Sequence, residues 1–354
     1  MPKKIKVGIV GVGNCASSLI QGCQYYRDKN GPSIGLLNPI FGGYFISDIE
    51  FVAAFDIDER KVGKDLAVAI TSEPNCTKKM CNVPDLGIIV LRGPILDGVA
   101  NHMKDTYLVD ETRKICDVIS ELKSSKADML ICYLPVGSAE ATRFYAQAAI
   151  DAGIGFINAI PEFVCSDDIW IKKFKERGLP CAGDDIKSQV GATIVHRVLS
   201  RLIEDRGQSI DNTFQLNIGG NTDFKNMLDE SRLASKRKSK TQVVTSILDN
   251  NLVDVRIGPS DYIPHLKDNK ICYINIKGRQ FGNIPFELDL KLSVEDSPNS
   301  AGVMVDVIRA MKVALENKES GDLEEISSLM FKSPKKQVKD DIAMKLVRDK
   351  YKLG

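Results

Sequence analysis

Apolar runs alternate with segments of helical periodicity over the first 200 residues of the chain. Strands that are apolar on both faces are buried on both faces, as in a parallel sheet covered by helices. Between 138 and 153 the helical spacing ends at a glycine, as expected of a crossover helix before the next strand. The pattern predicts an α/β fold with a doubly wound parallel sheet, and the predicted strands are 5–10, 51–56, 86–91, 128–135 and 155–159.

After about residue 200 the apolar positions recur at every second residue, which predicts an antiparallel hairpin with one face against solvent or a partner. These positions are Ile271, Tyr273 and Ile276 in the first run and Phe286, Leu288, Leu290, Leu292 and Val294 in the second. Open sheets of this kind commonly serve as substrate platforms and subunit interfaces.

Helical periodicity returns from Ser297 onward, so we expect the tail to pack back onto the first domain. A chain of 354 residues also exceeds one typical core. We therefore predict a second, mainly antiparallel open-sheet domain for catalysis and oligomerisation at 201–296. Residues 1–200 and 297–354 would form the first domain, which is discontinuous.

The first strand runs into a G-x-G-x-x-A turn at Gly11, Gly13 and Ala16, and a helix follows. Gly11 permits the tight turn, Gly13 lets backbone N–H groups approach a pyrophosphate, and the small Ala16 allows the helix to pack closely on the strand. Strand, turn and helix in this order predict a Rossmann-type domain that binds a dinucleotide.

The second strand ends at Asp56, the position of the usual ligand of the adenosine ribose. It ends 45 residues after Gly11, whereas about 20 is usual, so we expect an insertion at 22–50. An acidic residue at this strand end favours NAD over NADP as the cofactor.

Charge and composition also bear on the partners and the cellular location that we expect for the protein. The 48 basic and 47 acidic residues balance, which argues against nucleic acid or anionic membrane as a partner. No apolar run reaches the roughly 18 residues of a membrane-spanning helix, so we expect a cytoplasmic protein. The nine cysteines include no C-x-x-C pair, and we expect neither disulfides nor a thiolate zinc site.

A glycine turn with Asn221 and Asp223 precedes a strongly cationic segment that ends at Lys240. Arg232, Lys236 and Lys240 are four residues apart, so they share one face of a helix. The composition predicts a site for an anionic, polyhydroxylated substrate, and a solvated basic face is the alternative.

The segment around 181–193 leads into another helix and has the features of a phosphate cradle. Its candidate phosphate contacts are Ser188, Gly191 and Thr193, and an ordinary capped helix is the alternative. Of the adjacent Asp184 and Asp185, one could orient a lysine beside a nicotinamide ring.

Further lysines stand at 267, 270 and 332, and Lys332 follows three large apolar residues that would partly desolvate it. Asp296 ends the long strand of the hairpin, as a partner for a lysine or as half of a divalent-cation site with Asp223. His196 lies within an apolar helix, so we expect a core role for it.

Several motifs in order over nearly the whole chain resemble the inositol-phosphate synthase family in its shorter, prokaryotic form. They are Val-Gly-Asn-Cys-Ala-Ser-Ser-Leu at 12–19, Tyr-Leu-Pro-Val-Gly-Ser at 133–138, Gly-Asp-Asp-Ile-Lys-Ser-Gln at 183–189, Asn-Ile-Gly-Gly-Asn-Thr-Asp at 217–223, Ser-Lys-Arg-Lys-Ser-Lys at 235–240, Asp-Ser-Pro-Asn-Ser-Ala-Gly at 296–302 and Phe-Lys-Ser-Pro at 331–334.

The resemblance implies a redox-neutral, NAD-dependent cyclisation of D-glucose 6-phosphate to 1D-myo-inositol 3-phosphate. C5 is oxidised, C6 then forms an enolate that attacks the C1 aldehyde, and C5 is finally reduced again. Lys236 and Lys332 would act at the C5 oxygen, Lys270 at the aldehyde oxygen and Lys240 at the phosphate. Whether Lys267 or Lys270 is catalytic stays open, and the place just before the strand favours Lys270.

The resemblance also implies the remaining ligand sets and a homotetramer. Asp185, Asp223 and Asp296 would join the four lysines in catalysis, and Asp223 and Asp296 are the candidate ligands of a divalent cation. Asn221 would join the phosphate contacts. Cofactor contacts would be Gly11, Gly13, Asn14, Cys15, Ala16, Asp56, Pro135, Asp185 and Asp296.

Two other functions fit the same two-domain plan. One is a dehydrogenase of the semialdehyde or homoserine type, which consumes NAD. The other is a regulatory protein that holds NAD without turnover. Lysines that converge on one pocket would argue against the second, because a sensor has no oxyanion to stabilise.

Overall fold

A computed structural model of the chain describes residues 3–27, 33–229 and 254–353. Seven strands form a sheet in which every neighbouring pair is parallel, with the order β11-β6-β5-β4-β1-β2-β3. The strands are β1 (Ile5–Val10), β2 (Ile49–Asp56), β3 (Val90–Arg92), β4 (Met129–Cys132), β5 (Gly155–Asn158), β6 (Pro180–Ala182) and β11 (Gly321–Asp322). The order 3-2-1-4-5-6 is that of the dinucleotide-binding Rossmann fold, so the predicted fold class is confirmed.

Helices cover both faces of this sheet, and each face has its own apolar core. Helices α1 (Asn14–Arg27) and α8 (Asp296–Glu316) pack on one face, and α3 (Val118–Ser124), α4 (Ala139–Ala152) and α5 (Asp168–Glu176) pack on the other. Short helices α2 (Leu66–Ala69), α9 (Glu324–Met330) and α10 (Asp340–Tyr351) complete this part of the molecule. The tail of the chain thus returns to the first sheet, as the sequence predicts.

The third strand is shorter and later than the predicted 86–91. The backbone N–H groups of Leu86 and Ile88 donate to the carboxylate of Asp65, at 3.2 and 3.0 Å. These amides are therefore bound by a side chain at the start of α2, and regular pairing with β2 begins only at Val90. The predicted strand is present in the sheet, but it spans Val90–Arg92, so the predicted boundaries 86–91 are wrong.

Four strands form a second sheet in the order β10-β9-β7-β8. They are β7 (Ser209–Gly219), β8 (Asp254–Tyr262), β9 (Asn269–Gln280) and β10 (Ile284–Glu295). The predicted hairpin is β9–β10, and β9 also pairs antiparallel with β7, whereas β7 and β8 are parallel. The sheet is therefore mixed but mainly antiparallel, as predicted.

Helix α6 (Ala192–Asp205) packs on one face of the second sheet, and the short helix α7 (Thr222–Asn226) follows β7. His196 of this helix is fully buried and contacts Thr213 Oγ1 at 2.8 Å and Gln215 Oε1 at 3.2 Å, so the predicted core role is confirmed. The domain limits at residues 200 and 297 stay a prediction.

The segment between α1 and β2 is held against α8 by the buried Arg309. Its guanidinium donates to the backbone oxygens of Asn38, Pro39 and Tyr44, at 2.9, 3.0 and 3.3 Å, and pairs with Asp306. Over the described ranges, no helix combines the length and the apolar character that a membrane crossing requires. All nine cysteines are free thiols.

Candidate active site

The glycine turn between β1 and α1 lies where the strand order reverses. Gly11 has a φ of +87°, and a Cβ there would come within 2.5 Å of the backbone oxygen of Tyr133. Only glycine therefore allows the turn to pass so close to the end of β4. Crevices at such reversal points are the usual ligand sites of open α/β sheets.

The neighbouring Gly13 faces open space, with no atom within 4 Å of the position that a Cβ would take. The Asp56 carboxylate accepts from Val12 N, Ile57 N and Asp58 N, at 2.7, 2.7 and 2.9 Å, and so fixes the turn to the end of β2. Asp56 and both glycines line a cavity of about 90 Å³, which we call the turn cavity. An open backbone edge beside a strand-end carboxylate fits a dinucleotide.

A second cavity of about 180 Å³, the central cavity, adjoins the first and shares Gly13 and Pro135 with it. Its wall combines residues from both sheets. The predicted site residues that line it are Gly13, Asn14, Cys15, Pro135, Asp185, Ser188, Asn221, Asp223, Lys270, Asp296 and Lys332.

One lysine–carboxylate pair in the central cavity joins the end of β6 to the segment after α9. Lys332 Nζ donates to Asp185 Oδ1 at 2.7 Å, and its backbone N–H donates to Asp185 O at the same distance. The lysine side chain is 16% exposed and the carboxylate 6%. The ammonium is thus held in one place and still reaches the cavity.

A second pair joins β9 to the first residue of α8. Lys270 Nζ lies 3.2 Å from Asp296 Oδ1, and both side chains are 21% exposed. Burial alone would lower the pKa of Lys270, but Asp296 and Asp223 outweigh it and hold the pKa above its usual value. Lys270 is therefore a fixed cation, whereas Lys267 is exposed and does not line the cavity.

The structure separates the roles of the two adjacent aspartates. Asp185 has a φ of +61° and turns its carboxylate toward Lys332. The fully buried Asp184 points away from the cavity and accepts from Asn158 Nδ2, Ser166 Oγ and the backbone N–H groups of 164–166, at 2.7–3.1 Å. Burial raises the pKa of Asp184 to about 6, and these donors oppose the rise.

Asp268 is a site residue that the sequence reasoning missed. It is 1% exposed and accepts from Asn221 Nδ2 at 3.0 Å, Ser297 N at 3.2 Å and Ser297 Oγ at 2.8 Å. Its backbone oxygen also accepts from Asp296 N at 2.9 Å. Burial, together with the charge of Asp296, raises the pKa of Asp268 to about 6. Asp268, just before β9, therefore links the segment after β7 to the start of α8, next to the Lys270–Asp296 pair.

Other predicted residues stand apart from the cavity. Gly191 and Thr193, at the start of α6, are not part of its lining, so their contact with a phosphate stays a prediction. Lys236 and Lys240 lie outside the described residues. Ala16 is fully buried where α1 packs on the sheet.

The central cavity also contains a thiol and two candidate ligands of a divalent cation. Burial, with Asp268 and Asp296 nearby, raises the pKa of Cys15 to about 12, which disfavours the thiolate form of this cavity-lining residue. Asp223 and Asp296 both line the central cavity. Among the residues that the structure covers, no group of three or more His, Cys, Asp or Glu side chains could hold a metal ion, and a cation at this pair stays a prediction.

Known proteins resemble the chain over nearly its whole length. The family model of myo-inositol-1-phosphate synthase matches residues 191–297. The chain is 53% identical to the inositol-3-phosphate synthases of Mycolicibacterium smegmatis, over 348 residues, and Corynebacterium glutamicum, over 349, and each match covers 96% of both chains.

A solved structure of a myo-inositol-1-phosphate synthase-related protein from Thermotoga maritima has a TM-score of 0.81 and is 23% identical, with 99% of each chain covered. This likeness supports the fold alone. The identities with the two bacterial synthases carry the family assignment: the chain belongs to the myo-inositol-1-phosphate synthase family.

Proposed function

We propose that the chain converts D-glucose 6-phosphate to 1D-myo-inositol 3-phosphate in an NAD-dependent reaction without net redox change. The single observation that carries the proposal is the convergence of two lysine–carboxylate pairs on a cavity whose wall includes the glycine turn. An intramolecular aldol develops negative charge at two oxygens, and preorganised cations in a water-poor site stabilise such charges.

The glycine turn and Asp56 are the groups that would hold NAD. Gly13 leaves room for a pyrophosphate at the N-terminus of α1, and Asp56 lines the turn cavity where an adenosine ribose would lie. Bound NAD would supply the acceptor and donor of hydride at C5. Because the two cavities share Gly13 and Pro135, the reactive end of the cofactor would lie at the central cavity.

The two lysines would have different tasks. Asp185 accepts from Lys332 and fixes the position of its Nζ. As a neutral amine, Lys332 would take the proton of the C5 hydroxyl when hydride leaves C5; as the resulting ammonium, it would stabilise the enolate oxygen and return the proton when C5 is reduced again. Asp296 fixes Lys270. The raised pKa of Lys270 would keep this lysine protonated beside the C1 aldehyde, where the aldol oxyanion forms. Lys236 would assist at C5.

The phosphate of the substrate would lie opposite these pairs. Ser188 and Asn221 line the cavity with donors, and we propose that Lys240, Gly191 and Thr193 complete the set. A divalent cation between Asp223 and Asp296 would reduce their mutual repulsion.

The decisive experiment uses glucose 6-phosphate deuterated at C5 with less NAD than substrate. The cyclase should release many equivalents of inositol phosphate per NAD, with deuterium retained at the matching carbon and no stoichiometric absorbance of reduced nicotinamide. Build-up of reduced NAD with product would instead identify the dehydrogenase. Binding of NAD without any turnover would identify the sensor.

We also propose a cytoplasmic homotetramer. Nine free thiols suit a reducing compartment. The face of the second sheet opposite α6 carries the partly exposed Phe214, Leu216 and Tyr273, of which Leu216 and Tyr273 are paired across β7 and β9. Contiguous apolar surface of this kind is typical of subunit contacts.

A further inference from the structure

Lys61 is a buried lysine that the proposed reaction does not use. It follows β2, is 2% exposed, and lines the turn cavity together with Gly11, Gly13 and Asp56. Its Nζ donates to Asn75 Oδ1 at 3.0 Å. An ammonium has three donors. No other hydrogen bond or ion pair of this side chain occurs within the described part of the chain.

A buried ammonium with one neutral partner lowers the stability of a fold, because burial removes its hydration. Burial lowers the pKa of Lys61, and the charges of Asp56 and Asp58 oppose that effect without forming an ion pair. Titratable groups in a cavity whose pKa is shifted by burial and by nearby charges are found preferentially at functional sites. The remaining donors of Lys61 thus call for an acceptor from outside the protein.

The surroundings of Lys61 define where that acceptor lies. Asn75, its partner, donates to Val12 O at 3.0 Å, within the glycine turn. Lys61 Nζ is therefore one side chain away from the turn that would cradle a pyrophosphate. The neighbouring Arg60 is engaged by Asp58 and by Thr106 O, at 2.6 Å for the latter, so it does not compete for the same ligand.

We propose that Lys61 is a dinucleotide ligand that donates to an oxygen of the adenosine diphosphate half of the cofactor, either a phosphate oxygen or a ribose hydroxyl. The inference rests on the proposed function, because it takes NAD as the cofactor. Asp56 alone would repel the phosphates, and Lys61, which lines the same cavity, would offset that repulsion.

The test compares dissociation constants of the purified protein for NAD, ADP and adenosine, measured by calorimetry. Lys61→Met removes the charge and the donors, and Lys61→Gln keeps a donor for Asn75 without the charge. The matched control is Lys64→Met, an exposed lysine three residues later. Thermal unfolding without ligand is measured for all variants.

Both Lys61 variants should bind NAD and ADP about 10- to 100-fold more weakly, as expected for loss of a hydrogen bond from a charged donor. The control should bind like the wild type. Apo unfolding temperatures of the Lys61 variants should stay equal or rise, since a desolvated charge has been removed. Weaker binding of adenosine as well would assign the donor to the ribose, whereas unchanged adenosine binding would assign it to a phosphate.

Unchanged NAD affinity in Lys61→Met together with a lower unfolding temperature would make Lys61 a structural lysine and overturn the inference. If Lys61→Met does not fold, the same comparison with Lys61→Gln decides. A wild-type protein that binds no NAD would overturn the proposed function itself, which is a separate and recognisable result.

Discussion

At the scale of single residues, each lysine of the central cavity is held by one carboxylate from a different element. Asp185 precedes α6 and Lys332 follows α9, whereas Lys270 is the second residue of β9 and Asp296 the first of α8. Because each pair joins two elements, folding of the chain already fixes the positions of the ammonium groups. Little further conformational entropy is then lost when the reaction takes place.

Replacement of either lysine by alanine should remove turnover and spare cofactor binding. Lys270→Ala and Lys332→Ala each lose a preorganised oxyanion partner, worth about 100- to 1000-fold in kcat. Neither lysine lines the turn cavity. The measurement is steady-state inositol phosphate formation beside NAD titration. The control is Lys267→Ala, which replaces an exposed lysine just before β9 and should leave the activity unchanged. More than a tenth of wild-type activity in either variant would refute its assigned role.

Asp268→Asn should lower both kcat and stability. The amide offers one acceptor where the carboxylate has two oxygens bound by Asn221 and Ser297. An unsatisfied buried group costs about 1–3 kcal/mol, so the free energy of unfolding in urea should fall by that order. Lys270 should then lose its fixed position, and kcat should fall more than KM changes. Wild-type stability and kcat together would show that Asp268 has no positioning role.

At the scale of elements, the glycine turn offers a matched pair of substitutions. A Cβ at Gly11 would contact Tyr133 O at 2.5 Å with φ at +87°, whereas a Cβ at Gly13 would meet nothing. Gly11→Ala should therefore destabilise the fold by at least about 1–3 kcal/mol. Gly13→Ala should leave stability within about 0.5 kcal/mol and weaken NAD binding, because its methyl group enters the cofactor space. Urea unfolding and calorimetry measure the two effects. Equal stability of both variants would contradict the close approach to β4.

The contact of α6 with the second sheet should respond to acid through His196. Burial lowers the pKa of His196 to about 4 from 6.5. The unfolded chain binds the proton first, so this contribution to stability is complete above about pH 6.5 and is lost as the pH falls toward 4. His196→Gln should shrink the loss of unfolding free energy over that range by up to about 3 kcal/mol. The exposed His265→Gln is the control, and an identical pH slope in all three proteins would remove His196 from the explanation.

Elements with a local signal were predictable from the sequence, and contacts between distant loops were not. Gly11 and Asp56 stand at a strand end and a turn, so spacing identifies them. Asp268 lies in a polar turn that resembles any solvated loop, and only the meeting of β7, β9 and α8 makes it a buried acceptor. The boundaries of β3 were missed because a side chain, Asp65, binds the preceding amides.

At the scale of the whole molecule, the central cavity depends on both sheets. The parallel sheet contributes the glycine turn and Asp185, and the mixed sheet contributes Asn221 and Lys270. Helix α8 begins at Asp296 beside Lys270 and then packs along α1 on the parallel sheet. It is thus the element that would couple the proposed cofactor and substrate sites, and it brings the chain back to the parallel sheet.

Assembly should depend on the outer face of the mixed sheet. Phe214, Leu216 and Tyr273 are 36–39% exposed there, and a charge among them would have to be buried in any sheet-to-sheet contact between subunits. If the proposed tetramer forms through this face, Leu216→Glu should convert it to smaller species in sedimentation equilibrium. The packing of α6 on the opposite face should keep the subunit folded. Ile169→Glu, at an exposed apolar position of α5, is the control and should leave the mass unchanged. A tetramer in both variants would place the subunit contact elsewhere on the molecule.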